Sequence, residues 1–279
     1  MKRTLLRVGI VVAALAVAAI GGTALAARSF GPHAMHRRAV AFIDGALDAA
    51  KADPAQREAI TAARDQAFLA LKGIHVERRA QMKEALAVFE ADTLDGAKVK
   101  AIKDARLAEM KTGGDAIVSA LTTAHDVLRP DQRRLVVDYL RSHKPSSQPG
   151  VRGAMMKGFA SSKIDDLLDE VDASDVQRTA IEAARDHVFA AFDDNVATAH
   201  AAMVEQALAL FSADVLDASK VQALRDEHQA RADRIGDAVV QAIHDVHDAL
   251  TPAQRKQVTA AIRARAARFH HHGDAASEG

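Results

Sequence analysis

The chain has no cysteine and no tryptophan, and only one tyrosine and six prolines in 279 residues. Each shortage excludes something. Without cysteine there is neither a disulfide staple nor a thiolate nucleophile, so stability rests on helix packing or on association. An aromatic content of 4% leaves little to line a conventional small-molecule pocket. No glycine-rich phosphate loop and no serine at a strand-to-helix elbow occurs. Carboxylates are spread along amphipathic stretches, as on a solvated face. These gaps argue against an enzyme. Lys+Arg and Asp+Glu both total 37, so no excess charge draws the chain to nucleic acid. No alternating strand pattern of useful length appears either, and the expected fold class is all-α.

What is present is a helix start written four times. Leu250-Thr251-Pro252-Ala253-Gln254 has the grammar of a capping box: a side chain at the N-cap accepts from an orphan N–H, and Gln three residues on reaches back. Asp53-Pro54-Ala55-Gln56 and Ser174-Asp175-Val176-Gln177 repeat it. Leu128-Arg129-Pro130-Asp131-Gln132 repeats it with Arg at the N-cap, which cannot accept, so that start leans on Pro130 and Gln132. Gln56 to Gln177 is 121 residues and Gln132 to Gln254 is 122. Between these anchors, Phe89-Glu90-Ala91-Asp92 answers Phe211-Ser212-Ala213-Asp214, and His125-Asp126 answers His247-Asp248. So long a period is a duplicated domain rather than a solenoid, whose repeats run to about 20–50 residues.

Apolar spacings of three and four give each copy four helices. The first copy has them at about 35–50, 54–90, 94–128 and 130–143; the second at 164–170, 175–211, 216–250 and 252–269. The apolar stripe of the third helix is Val99, Ile102, Ile117, Leu121 and Leu128, with Gly113-Gly114 read as a kink or break. Met82 and Met203 fall at corresponding points of the long helices as packing residues, while Met155 and Met156 are candidates for exposed contacts. The domain organisation is a signal peptide at 1–26, helical units at 35–143 and 155–269, a linker at 144–154, and a disordered tail at 270–279. Lys2, Arg3 and Arg7 before the apolar run 8–20, then Ala24-Leu25-Ala26, lay out a cleaved secretory signal. An uncleaved anchor is the alternative, since 8–27 carries no charge and at about 20 residues could span a bilayer. Either way the chain is exported.

Charge differs between the copies. Residues 36–143 hold 18 basic and 16 acidic residues, a net of +2, and residues 157–268 hold 13 and 19, a net of −6. Drift on solvated faces explains this, and so does selection for pairing between the halves of one chain. Basic residues Arg78, Arg79, Lys83, Lys98, Lys100 and Lys103 form a candidate contact patch, with solubility as the plainer role. Histidine offers the one metal reading. His244, His247 and Asp248 can share a helix face and suit Zn or Cu, against the plain reading of hydrated surface histidines. His270-His271-His272 adds a weak chelating cluster, and His33 and His36 are weaker still.

Four helices, the second and third long, with a Leu-Thr-x-x-Gln box opening the second and fourth, resemble the Spy/CpxP family of periplasmic proteins. Leu250, Thr251 and Gln254 match the box in full; Leu128 and Gln132 match without the Thr; Asp53 with Gln56 and Ser174 with Gln177 keep the cap chemistry without the Leu. The resemblance implies small helical units that dimerise into a curved cradle and bind unfolded clients without ATP. It also implies relatives tied to envelope stress signalling and to zinc, nickel or cobalt response. Family members usually carry one unit, and this chain has two, so two tethered units are expected to pack as an intramolecular pseudo-dimer, monomeric rather than homodimeric. The leading expectation is a periplasmic, ATP-independent chaperone for unfolded or aggregation-prone envelope proteins, needing no cofactor. The alternatives are a metal-binding sensor or resistance accessory (Zn, Ni, Co or Cu) and an adaptor for an envelope signalling protein.

Overall fold

A computed structural model describes residues 32–143, 151–193 and 196–274. The expected signal peptide and most of the expected linker lie outside these residues, as do the side chains of His33, His36, Arg78, Arg79, Met155, Met156 and the His270 cluster. Among the described residues there are only helices: α1 Pro32–Ala49, α2 Pro54–Glu90, α3 Gly96–Val127, α4 Pro130–Ser142, α5 Val151–Glu170, α6 Asp175–Asp193, α7 Val196–Ser212, α8 Ala218–Ala249 and α9 Pro252–Asp274. The first unit is α1–α4 and the second α5–α9.

Helix starts follow the cap chemistry. The Asp53 carboxylate accepts from Gln56 N–H at 2.9 Å while Gln56 Oε1 accepts from Asp53 N–H at 3.0 Å, with Pro54 opening α2. Asp95 and Asp217, at equivalent places in the two copies, cap α3 and α8 by accepting from Lys98 N–H and from Ser219 and Lys220 N–H. Helices α1 and α5 end alike. Lys51 and Asp172 both take φ of 50°, and Ala52 N–H and Ala173 N–H reach back to Leu47 and Leu168 carbonyls at 3.0 and 2.9 Å. This is a Schellman-type stop made without glycine.

Several expectations need correction. No break occurs at Gly113-Gly114: α3 runs unbroken from Gly96 to Val127. Its packing along α2 holds the helical backbone across two residues that cost only about 1 kcal/mol each in propensity. The helix at 164–170 begins at Val151, inside the stretch read as linker; the Pro149-Gly150 signal stops at residue 150. The last helix passes residue 269 and runs to Asp274, into the expected tail, because Ala264-Arg265-Ala266-Ala267-Arg268 is strongly helix-forming. The stretch 175–211 is described as α6 and α7, flanking residues 194–195.

Two apolar cores result, and each contains residues of both units. Ile164, Leu167, Leu168, Val188, Val239, Val246 and Ile262 of the second unit enclose Leu86 and Phe89 from the end of α2, with Met82 packed alongside. Reciprocally, Leu47, Ile60, Leu128, Val136 and Val137 of the first unit enclose Leu208 and Phe211 from the end of α7. The ends of α2 and α7 each complete the other unit's core.

Candidate functional site

The repeated motif converges on its glutamines. In the first unit Gln56 Nε2 donates to Gln132 Oε1 at 2.8 Å, and Gln132 Nε2 donates back to Gln56 Oε1 at 3.0 Å. Gln56 Nε2 also reaches the Val127 carbonyl, and Gln132 Nε2 the Lys51 carbonyl. Each amide oxygen meanwhile accepts from the backbone N–H of its own N-cap, Asp53 or Arg129. The second unit repeats the arrangement. Gln177 and Gln254 exchange amide hydrogen bonds at 2.8 and 3.1 Å and donate to the Ala249 and Val171 carbonyls. Ser174 and Thr251 complete their boxes, with their hydroxyls accepting from Gln177 and Gln254 N–H at 3.4 and 3.3 Å. The motif is thus more than a cap. Two caps, distant in sequence, are buckled into one polar knot in which each amide is paired. Gln132, 1% exposed, is among the most deeply buried side chains. Leu128 and Leu250, the motif leucines, lie in the two cores.

Immediately after each of the four glutamines comes an arginine: Arg57, Arg133, Arg178 and Arg255. Arg57 and Arg178 hold the preceding helix through the Ala52 and Ala173 carbonyls and through Asp48 and Asp169. Arg133 and Arg255 are buried. Arg133 donates to the His125 and Leu128 carbonyls at the end of α3, then crosses to the Asp214 carbonyl of the second unit at 3.2 Å. Arg255 does the same with His247, Leu250 and, in the first unit, Asp92 at 3.2 Å. The four-fold Gln-Arg dipeptide was the signal for these residues, and reading the motif only as far as its glutamine missed it.

Histidine completes the seam. His125 Nε2 lies 3.0 Å from the Ala213 carbonyl and its ring stands edge-on to Phe211. His247 Nε2 lies 3.0 Å from the Ala91 carbonyl, edge-on to Phe89. A carbonyl only accepts, so Nε2 carries the hydrogen in both rings and is committed to the opposite unit's carbonyl. His247 is buried and Asp248 is 80% exposed on its side chain. His244 lies across the seam against Gly96. Among the described residues no three His, Asp or Glu side chains come together to hold a metal ion. The three residues singled out for metal therefore sit in and beside the seam without forming a ligand set.

Charged pairs line the edges of the same seam. Lys103 bonds Asp237 at 2.5 Å with Asp233 at 3.6 Å, and its counterpart Arg225 pairs with Asp115. The Asp237 carboxylate raises the Lys103 ammonium above its ordinary range. Arg141 pairs with Glu205 at 3.1 Å, and its counterpart Arg263 with Glu90 at 2.6 Å. Arg263 foremost, assisted by the Thr259 hydroxyl, lowers the Glu90 carboxyl. Of the basic residues read as a candidate contact patch, Lys103 is committed to the seam, Lys98 pairs with the N-cap Asp95, and Lys100 pairs with Asp104 of the same helix.

Fold and site together define a tandem helical protein whose two copies of one unit build matching halves of a single seam. The family model for LTXXQ motif family protein matches residues 40–138 and again 159–261. The chain belongs to the LTXXQ motif family and carries two tandem copies of its Spy/CpxP-type domain. No match was found among curated proteins or solved structures.

Proposed function

We propose that this is a periplasmic, chaperone-like binding protein, not an enzyme, which shields unfolded or aggregation-prone envelope proteins without ATP. Family membership supports the compartment and the class. No helix among the described residues is long and apolar enough to cross a membrane. The observation that carries the reading is the reciprocal seam. Phe89 and Phe211 each complete the opposite core, and Arg133 and Arg255 each hold the opposite loop. An isologous contact of this kind is what two identical subunits would make. Here it lies within one chain, so a monomer can supply the scaffold that single-unit relatives are expected to assemble from two copies. Tethering raises the effective concentration of one unit for the other to about the millimolar range.

The test is suppression of aggregation of a chemically unfolded client by the full-length chain, with and without chelator, alongside light scattering. Suppression by a monomer, indifferent to chelator, is the expected result. An obligate homodimer at micromolar concentration would overturn the pseudo-dimer, and absence of suppression would overturn the chaperone.

A further inference from the structure

The two ends of the seam match in position and differ in chemistry. At one end Phe89 enters a core that also holds Leu167, Val171, Val188 and Val246. At the other end Phe211 enters the first unit's core, and alanine stands at all four matching positions, 46, 50, 67 and 124. Val239 belongs to the Phe89 core, with Ile243 packed against it. Their counterparts Ile117 and Leu121, read from sequence as part of a buried stripe, are 45% and 47% exposed. Less apolar area therefore holds the Phe211 end.

Polar contacts differ in the same direction. Glu90 accepts from the fully buried Thr259 hydroxyl at 3.0 Å and pairs with Arg263 at 2.6 Å. At the other end Val137 replaces Thr259 and has no hydroxyl, while Ser212 replaces Glu90 and turns its hydroxyl back to the Ala209 carbonyl. Lys103 is seated over Gly236, where an added Cβ would lie 3.1 Å from its stem, and it pairs with both Asp237 and Asp233. Arg225 stands in its place at the other end, sharing Asp115 with Lys111, a cation at the position matching Asp233. The Lys103 side chain is 15% exposed and that of Arg225 31%. The second unit's tip is looser on its own side too. A cleft of about 930 Å³ between α7 and α8 is lined by Leu210, Leu216 and Leu224, whereas Val88, the match of Leu210, is buried.

We propose that the seam is a fixed joint at one end and a latch at the other: residues 204–217 lift off the first unit while the end of α2 stays docked. Weakly held elements open first, and here they share one end. Lifting uncovers Leu208 and Phe211 together with the surface that receives them, built from Leu47, Val136 and Val137. This rests on the chaperone reading and adds its control, since apolar surface for a client is covered at rest and released at one place.

A chain without cysteine lends itself to thiol labelling. Leu208→Cys and Leu86→Cys place a single thiol at matching buried positions of the two tips. With an aromatic disulfide reagent, position 208 should react about tenfold faster than position 86 or more. Val137→Thr/Ser212→Glu, which transplants the Thr259–Glu90 contact, should slow labelling at 208. Equal rates at the two positions, or faster labelling at 86, overturn the proposal. Hydrogen exchange on the unsubstituted chain reads the same difference should a cysteine variant fail to fold. Protection over 204–216 should be about tenfold weaker than over 82–94, and equal protection overturns the proposal. The aggregation assay separates the two readings. Unequal opening in a chain that suppresses nothing overturns the chaperone alone; suppression with equal opening overturns the latch alone.

Discussion

Gln132 shows how much a single amide can hold. It bonds the N-cap of its own helix, the carbonyl that ends α1 and the amide of Gln56, all at a site sealed from water. Truncation strands several partners at once, and each buried polar group left unpaired costs about 1–3 kcal/mol. Gln132→Ala should therefore lower stability by about 2–4 kcal/mol in urea denaturation. Gln254→Ala, in the less buried knot of the second unit, should cost less. Glu90 gives a dependence on pH with a definite sign. Arg263 holds its carboxyl below the ordinary value of 4.5 in the folded chain, so its stabilisation is complete above that value. It is lost as pH falls through the lower, folded-state value. Glu90→Gln should flatten that acid limb of the stability curve, and an unchanged limb would show that Arg263 gains nothing from the carboxylate.

At the scale of the helix, boundaries were legible wherever a cap wrote them. The box at Asp53 and Gln56 and the proline after each of Asp53, Arg129 and Thr251 located α2, α4 and α9 to the residue, because the chemistry that satisfies orphan N–H groups is local. Continuity through a glycine pair was not legible. Helix α3 passes through Gly113-Gly114 because packing on α2 outweighs a propensity cost, and nothing in eleven neighbouring residues reports that contact. The stops of α1 and α5 were placed at residues 50 and 170, against the observed Ala49 and Glu170, but the conformation that makes them was not read, since Lys51 and Asp172 are left-handed where glycine usually signals it. That conformation costs a residue with a Cβ about 1 kcal/mol. Lys51→Gly and Asp172→Gly should each raise stability by up to about 1 kcal/mol, measured by thermal denaturation. A loss in both would mean that the Schellman stop is not held in this geometry in solution.

For the whole molecule, duplication was plain from spacing, but what the duplicated residues do was not. Phe89 aligned with Phe211 and His125 with His247 as evidence of repetition. Nothing in that alignment says that each phenylalanine enters the other unit's core and each histidine grips the other unit's loop. Conserved register within a chain identifies equivalent positions, whereas the pairing between them is a long-range contact that local pattern does not encode. The consequence is mechanical. If reciprocal cores and carbonyl clamps hold the units, the covalent connection is dispensable once they have met. A protease site placed within residues 145–149, cut after folding, should leave two fragments that co-elute in gel filtration under native conditions. In the same cleaved protein Arg133→Ala/Arg255→Ala removes a buried donor set from each side of the seam, at roughly 2–3 kcal/mol per arginine. That change should let the fragments separate on dilution. Separation without the substitutions would place the burden of assembly on the tether, and the seam would then be a product of proximity rather than its replacement.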